Sequence, residues 1–185
     1  MAIAYPCRMM TGESSEVAAV TIRPYRPSDQ EGVEWLYSRT PPWGRTYPRP
    51  QPIPPEIRRV QEAYEYVLVA VEQDRDGEAV VGLTTVANAQ AGGGVPLPGF
   101  IDLSAPASRL RHVLVAPERW RLGIGRRLVE AAIAWSRSRG HGAVVLDTTT
   151  DQQGAIAFYR ALGFGEAGQT TFQEWEIVWF ELKLD

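Results

Sequence analysis

The sequence predicts a mixed α/β fold in one domain, residues 19–185, preceded by a loose tail at residues 1–18 that lacks periodicity. Short apolar runs rich in β-branched residues alternate with longer segments of helical periodicity. Their order is strand, two helices, three strands, helix, strand, helix and two strands, which implies a mixed sheet covered by helices. The chain has 185 residues, 44% of them hydrophobic and 22% charged, so it can bury a substantial core.

Segments with the composition of β-strands lie at residues 20–24, 67–71, 79–86, 109–115, 143–146 and 170–184. Asp76-Gly77 is a hairpin signal between the second and the third. The last segment is apolar on both faces, so it needs cover on each side. A homodimer contact is one way to supply that cover.

Helical periodicity and capping signals mark four further segments. The first helix follows Asp29 and ends before Pro41, and a short helical pattern covers residues 56–66. A long helix begins around Gly125. The last helix ends at Gly163, because glycine is the preferred residue just past a helix C-terminus.

The loop from Pro41 to Pro55 has two open interpretations. Its prolines favour an extended, stiff connector. Because aromatic and arginine side chains stand between those prolines, the loop is also a candidate lid over an acceptor, with Trp43 and Tyr47 in contact with the substrate.

Charge and residue counts exclude several function classes. The net charge of −3 gives no basic footprint for nucleic acid. One cysteine and two histidines are too few for a disulfide framework or a multi-histidine metal site, so no metal is expected. There is neither a transmembrane-length apolar run nor a signal peptide, so we expect a cytoplasmic protein without membrane contact.

The segment from Val113 to Arg127 has the pattern of an anion site. An apolar strand ends before Pro117, a basic turn follows, and Gly123 and Gly125 precede the long helix. Free backbone N–H groups at a helix N-terminus and the helix dipole both favour a bound anion. Glycines let phosphates approach the main chain without meeting a Cβ atom. We therefore expect a phosphorylated cofactor here.

Two kinds of cofactor fit this pattern at first sight. Gly123-Ile124-Gly125 begins a G-x-G-x-x-G dinucleotide motif, with Asp147 about 20 residues further on. The third glycine position, however, is Leu128, and a whole turn separates the strand from Gly123. A dinucleotide-binding oxidoreductase is therefore disfavoured against an acyl-coenzyme A site.

Two segments resemble motifs of the GNAT N-acetyltransferase superfamily. Residues 115–128 resemble its acyl-coenzyme A motif, in which an Arg/Gln-x-x-Gly-x-Gly/Ala loop cradles the pyrophosphate. Residues 152–164 look like its following motif, a helix with a tyrosine near its end and then Leu-Gly-Phe. Two positions depart from the pattern: Trp120 replaces Arg or Gln, and Gln152 stands where Asn is commoner.

The resemblance implies a mostly antiparallel sheet of six to seven strands, with acetyl-coenzyme A as cofactor. It implies a backbone oxyanion site near a bulge in the central strand, with Tyr159 as general acid, and an acceptor pocket shaped by the loop after the first helix. The cofactor-binding residues implied are Val113, Leu114, Val115, Arg121, Leu122, Gly123, Ile124, Gly125, Arg126, Gln152 and Tyr159.

The general base is not identified. Family members often place a glutamate where this chain has Arg109 and Arg111, and a guanidinium cannot take a proton. These arginines could clamp an acidic acceptor, or they could be ion-paired. Strand alternation places them on one face with Val113 and Val115, and His112 on the other. His112 is either a base or a core histidine.

The function expected is acetyl transfer from acetyl-coenzyme A to a primary amine, directly in a ternary complex. The acceptor is a small molecule, one with a carboxylate if the arginines bind it, or a peptide. A non-catalytic acyl-coenzyme A-binding module is the alternative, because the usual glutamate is missing.

Overall fold

The computed structural model describes residues 19–40, 52–74, 77–91 and 94–185, which form seven strands and five α-helices. The strands are β1 (Thr21–Pro24), β2 (Tyr66–Asp74), β3 (Gly77–Asn88), β4 (Ala107–Val115), β5 (Ala143–Thr149), β6 (Gly165–Phe172) and β7 (Trp175–Lys183). The helices are α1 (Gln30–Arg39), α2 (Pro55–Arg58), α3 (Val60–Ala63), α4 (Ile124–Ser138) and α5 (Gln153–Ala161).

All seven strands form one sheet in the order β1-β2-β3-β4-β5-β7-β6. Neighbours are antiparallel except β4 and β5, which are parallel and joined by the crossover helix α4. A parallel pair needs a crossover of this kind, because a short turn cannot bring the chain back to the same edge. The mixed, mostly antiparallel sheet flanked by helices is confirmed.

Helices α1, α4 and α5 pack their apolar stripes on the sheet to form the main core. Val33 and Leu36 of α1, and Leu128 and Val129 of α4, are fully buried there. A second, smaller cluster on part of the sheet includes Val145, Trp179 and residues of the segment between β3 and β4. Burial of these aliphatic and aromatic side chains is the main force that holds the helices to the sheet.

The C-terminal segment differs from its sequence prediction. Residues 170–184 are not one strand, because the chain turns back between Phe172 and Trp175, with Gln173 at a positive φ of 55°. The resulting β7 lies between β5 and β6, where Val178 faces the main core and Trp179 the second cluster. Both faces are therefore covered within the chain, and the need for cover that suggested a subunit contact disappears.

The region predicted as one helix over residues 56–66 consists of the two single-turn helices α2 and α3. They are separated at Arg59, whose backbone angles of φ −132° and ψ 49° are not helical. Ile57 and Val60 fill the core from this segment. Within the described ranges, none of the helices has both the length and the apolar character required to cross a membrane.

Candidate active site

The parallel strands β4 and β5 are paired over only three residues. The pairs are Ala107 with Ala143, Ser108 with Val144, and Arg109 with Val145. Beyond Arg109, β4 stays paired with β3 on its other side but no longer with β5. A gap therefore opens in the middle of the sheet along residues 110–115, with strand backbone on one wall.

A bulge in β4 lies beside this gap. Leu83 of β3 pairs with Leu114, but Thr85, two residues on, pairs with Arg111, so β4 has one residue more than its partner. His112 lies in the bulge at a positive φ of 51°. The buried Thr85 hydroxyl donates to the Arg111 carbonyl at 3.0 Å and so stabilises the irregular backbone.

The bulge reverses strand alternation, and the predicted faces of β4 are therefore wrong. Val115 pairs with Gly82, and the α-carbon of Gly82 faces Ile124 and Leu128 of α4. Arg111 pairs with Thr85, which by alternation lies on the opposite side of β3 from Gly82. Both arginines of β4 thus lie on the face away from α4.

The N-terminus of α4 forms an anion-binding turn at the open end of the gap. Gly123 is its N-cap at φ 78°, and no side-chain hydrogen bond caps it. Arg121 also has a positive φ, 66°. A Cβ atom at Gly123 would meet nothing within 4 Å, so there is open space in front of these amides. The turn therefore fits a pyrophosphate.

The arginine side chains around this turn differ in their hydrogen bonds and ion pairs. Arg119 makes two hydrogen bonds of 2.7 Å to the Glu72 carboxylate, so it is part of the framework. Arg126 lies 3.3 Å from Glu130 on the exposed surface of α4. In the described part of the chain, Arg121 has no recorded ion pair or hydrogen bond, so its guanidinium is the one best placed to meet phosphate.

Trp120 lies beside the same turn, although its indole is 54% exposed. The indole N–H donates to the Val115 carbonyl at 2.7 Å. This contact has no sequence signal apart from the unusual residue type at the motif position.

Gln152 is the N-cap of α5 and follows the carboxyl end of β5. Its side-chain oxygen accepts a 2.9 Å hydrogen bond from Thr148. This bond holds the amide at the far wall of the gap, opposite β4. The expectation that Gln152 contacts the cofactor stays a prediction.

Tyr159 of α5 lies in an aromatic cluster. Its ring contacts Phe158, Phe164 and Phe180 with centroid distances of 5.2, 5.9 and 6.1 Å. Burial, and secondarily the negative charge of Asp147, raises the pKa of the Tyr159 phenol above its usual range. The phenol therefore keeps its proton at physiological pH, as a general acid must.

Arg109 is not available to clamp an acceptor, because it is buried and ion-paired. Its Nη2 lies 2.6 Å from Oδ1 of Asp147, and its guanidinium lies 5.0 Å from the Trp179 ring centroid. Of the two interpretations left open by the sequence, the ion pair describes Arg109. Its Nε atom is buried without a hydrogen-bond partner in the described part of the structure.

Arg111 and His112 lie on the face away from α4, near two tyrosines. The Arg111 guanidinium is packed so closely against Gly94 that a Cβ atom there would lie 2.5 Å from it. His112 Nε2 lies 2.7 Å from the Tyr64 hydroxyl, and its ring makes an edge contact with Tyr37 at 6.0 Å.

Burial and nearby charge determine the protonation states of His112 and Tyr64. Burial, with the nearby positive charge of Arg111, lowers the pKa of His112 to about 3, so the ring is neutral. Burial also raises the pKa of Tyr64 to about 12. At neutral pH the pair is therefore an uncharged hydrogen-bonding unit.

A cavity of about 270 Å³ lies on this same face, between the segment after β3 and β4. It is lined mainly by small and apolar side chains, with Arg109 at one wall; the apolar lining includes Val95, Leu97 and Leu103. The other predicted acceptor residues, Trp43 and Tyr47, lie outside the described residues.

The sequence matches a family over most of its length. Residues 31–164 match the model of the family described as "Acetyltransferase (GNAT) family". The match covers α1 through α5, and so it includes both walls of the gap and the turn before α4.

Sequence relatives align with part of the chain. Human N-acetyltransferase 8 is 39% identical over 86 residues, which are 44% of this chain and 38% of the human protein. Rat N-acetyltransferase family 8 member 3 is 39% identical over 61 residues, 33% of this chain and 27% of the rat protein. The aligned regions therefore span well under half of these relatives.

Solved structures share the architecture over most of the chain. The structure of yncA from Salmonella typhimurium with its cofactor acetyl-CoA has a TM-score of 0.67 at 21% identity, covering 90% of this chain and 95% of that one. The ribosomal-protein-S18-alanine N-acetyltransferase from Escherichia coli has a TM-score of 0.62 at 18% identity, covering 89% and 94%. At these identities the likeness shows the fold.

Proposed function

The chain belongs to the acetyltransferase (GNAT) family, and on that premise we propose that residues 19–185 form an N-acetyltransferase domain. It transfers an acetyl group from acetyl-coenzyme A to a primary amine of a small molecule or peptide. The observation that carries this proposal is the uncapped N-terminus of α4, which opens onto the gap between β4 and β5.

The donor is held by backbone more than by side chains. The amides of the turn from Arg121 to Gly125, together with the α4 dipole, bind the pyrophosphate. The Arg121 guanidinium adds a charge-assisted contact. The extended pantetheine arm of the donor contains amides. It then lies along the unpaired edge of β4 and forms hydrogen bonds with it, as an added strand does at the edge of a sheet.

Acetyl-coenzyme A supplies a thioester, and the protein stabilises the charges that develop during its aminolysis. A backbone N–H near the β4 bulge, between Val113 and Val115, stabilises negative charge on the acyl oxygen. Tyr159 holds a proton on Oη that can neutralise a leaving thiolate. With these two groups at the thioester, the amine attacks the acyl carbon directly in a ternary complex and the thiolate leaves.

The acceptor enters from the face that carries Arg111, His112 and Tyr64. Arg111 adds positive charge to this face, and this charge favours an acceptor with a carboxylate. His112, with its pKa of about 3, is too weak a base to take a proton from an alkylammonium ion directly. We assign the neutral imidazole to hydrogen bonding with the acceptor, while solvent takes the proton.

A thiol-release assay tests this function. Purified protein and acetyl-coenzyme A are mixed separately with amino acids, polyamines, aminoglycosides and a lysine-containing peptide. Release of free thiol above the rate without acceptor is expected with at least one class, and amines that carry a carboxylate are expected to react fastest. Mass spectrometry identifies the acylated amine, because an acetyl group that replaces a hydrogen raises the mass of the product by about 42 Da.

The absence of a glutamate at Arg109 and Arg111 favours one alternative, a module that binds acyl-coenzyme A without turnover. Calorimetry separates the two functions. Binding of coenzyme A with no thiol release on any amine would support the binding module. Failure to bind coenzyme A at all would overturn both.

A further inference from the structure

We propose that the indole of Trp120 competes with the acyl donor for the main chain of β4, and that Trp120 thereby sets the affinity for the donor. The contested group is the carbonyl oxygen of Val115, and the competing ligand group is an amide N–H of the pantetheine arm. The inference rests on the proposed function, because it requires coenzyme A to bind in the gap.

The direction of the Val115 carbonyl follows from the pairing of its own peptide unit. The N–H of Ala116 donates to Val81 of β3 at 2.9 Å. In a trans peptide the C=O and the following N–H point to opposite sides. The Val115 carbonyl therefore points away from β3, into the gap that β5 leaves open.

In the structure this carbonyl is already occupied, by the indole N–H of Trp120 at 2.7 Å. The contact closes a loop of five residues between the strand end and the basic turn. It satisfies an acceptor that would otherwise be without a strand partner, because the pairing of β4 with β5 ends at Arg109.

Little else holds the indole in this position. The Trp120 side chain is 54% exposed, and the neighbouring Leu122 is 51% exposed. A solvated ring that loses one hydrogen bond pays a modest free energy, because water replaces much of the lost interaction. The indole can therefore yield the carbonyl to a ligand without disturbing the core.

The donor has the chemistry needed to take that carbonyl. Coenzyme A carries two amides between its pyrophosphate and its thiol, and the pyrophosphate turn lies just beyond Val115. A ligand amide that donates to Val115 must displace the indole, since both would approach the carbonyl from the gap. Trp120 thus lowers the affinity for the donor by the net free energy of one hydrogen bond.

The test compares Trp120→Phe with wild type by calorimetry, using two ligands. Phenylalanine keeps an aromatic ring and removes the N–H. Coenzyme A is expected to bind Trp120→Phe about two- to tenfold more tightly, the range expected for one net hydrogen bond. Adenosine 3′-phosphate 5′-diphosphate has the phosphates but no pantetheine arm, so its affinity is expected to be the same for both proteins.

Trp135→Phe is the matched control. Trp135 lies in the C-terminal half of α4 and stacks on Tyr66 at a centroid distance of 4.8 Å, away from the turn. Its replacement is expected to leave both affinities unchanged, and thermal melts check that all three proteins are folded.

The outcomes are distinguishable. Equal or weaker coenzyme A binding by Trp120→Phe would overturn the competition, and so would an equal gain for the ligand that lacks pantetheine. Either result would leave the proposed function standing, because coenzyme A would still bind. If no protein bound coenzyme A, both proposals would fail.

Discussion

Tyr159 combines a buried ring with a phenol whose pKa is raised. Tyr159→Phe keeps the ring contacts with Phe158, Phe164 and Phe180 and removes only the proton source. We expect kcat to fall by about 10²-fold or more, within the range for loss of general acid catalysis. The measurement is thiol release at saturating donor, with a thermal melt to check folding.

Tyr66→Phe is the control for that experiment. Tyr66 stacks on Trp135 at a centroid distance of 4.8 Å, away from the gap. Its loss of a hydroxyl should leave kcat unchanged. An unchanged kcat in Tyr159→Phe would remove the phenol from the mechanism and leave the ring as a packing residue.

His112 links the protonation of the site to stability. Its pKa is about 3 in the folded protein and about 6.5 in the unfolded chain, so the unfolded chain binds more protons between these values. Stability from this residue is therefore complete above pH ~6.5 and is lost as the pH falls toward ~3. Tyr37, Tyr64 and Arg111 are the titratable or charged groups that face it.

His112→Asn tests this linkage, since asparagine tolerates the positive φ of the bulge. Between pH ~7.5 and ~4.5, the free energy of unfolding of wild type should fall by roughly 3 kcal/mol more than that of the variant. Urea denaturation at the two pH values measures the difference, and other titrating groups cancel between the proteins. If wild type and variant lost the same free energy of unfolding between these pH values, the pKa of His112 would not be lowered in the folded protein.

At the scale of elements, the two glycines of the turn before α4 differ in backbone conformation and in the space around them. Gly123 has φ 78°, which costs a residue with a Cβ atom about 1–2 kcal/mol, and its open side is where an anion would lie. Gly125 is helical, and a Cβ there would make ordinary contacts, 3.6 Å from Phe158.

We therefore expect Gly123→Ala to weaken coenzyme A binding by roughly tenfold or more, through strain and obstruction together. Gly125→Ala should bind nearly as wild type, because its methyl group fits. Calorimetry on the two variants gives the comparison. Equal losses would mean that the anion approaches Gly125 as closely as Gly123.

The local elements could be predicted from the sequence where one pattern determines them. The apolar runs of β2 to β5 and the start of α4 after the paired glycines are of this kind. The resemblance implied a bulge in the central strand, but its position at His112 could not be predicted, because it depends on the register of β4 against β3. The predicted faces of Arg109 and Arg111 were wrong for that reason.

The turn at Gln173 and the partner of Arg109 in its ion pair could not be predicted, for similar reasons. Gln173 takes a backbone conformation that its residue type does not signal. The ion pair joins residues 38 positions apart, and nothing local to either residue identifies the partner. The position of the cofactor site, in contrast, follows from a short local motif.

For the whole molecule, the β4–β5 junction joins the first four strands to the last three. The ion pair between Arg109 and Asp147 spans this junction where the strand pairing ends. Asp147→Asn would leave a buried guanidinium without its counter-charge, and we expect it to destabilise the protein by about 3–5 kcal/mol. Urea denaturation measures the loss.

Two variants make that prediction specific. Glu166→Gln breaks the exposed pair with Arg160 and should destabilise the protein much less than Asp147→Asn, because water screens charges at the surface. The double replacement Arg109→Met with Asp147→Leu should recover most of the stability lost in Asp147→Asn, because no buried charge remains. If Asp147→Asn lowered the free energy of unfolding no more than Glu166→Gln does, water would have to reach the junction and solvate Arg109.

The short pairing of β4 with β5 also bears on deuterium uptake by the main chain. Amides of residues 110–115 that point away from β3 have no partner on β5, so they exchange readily while the gap is empty. An acyl donor lying along β4 would occupy the place of a missing strand and protect those amides. We therefore expect the bound donor to complete the sheet, and deuterium uptake along β4 to fall when coenzyme A is added.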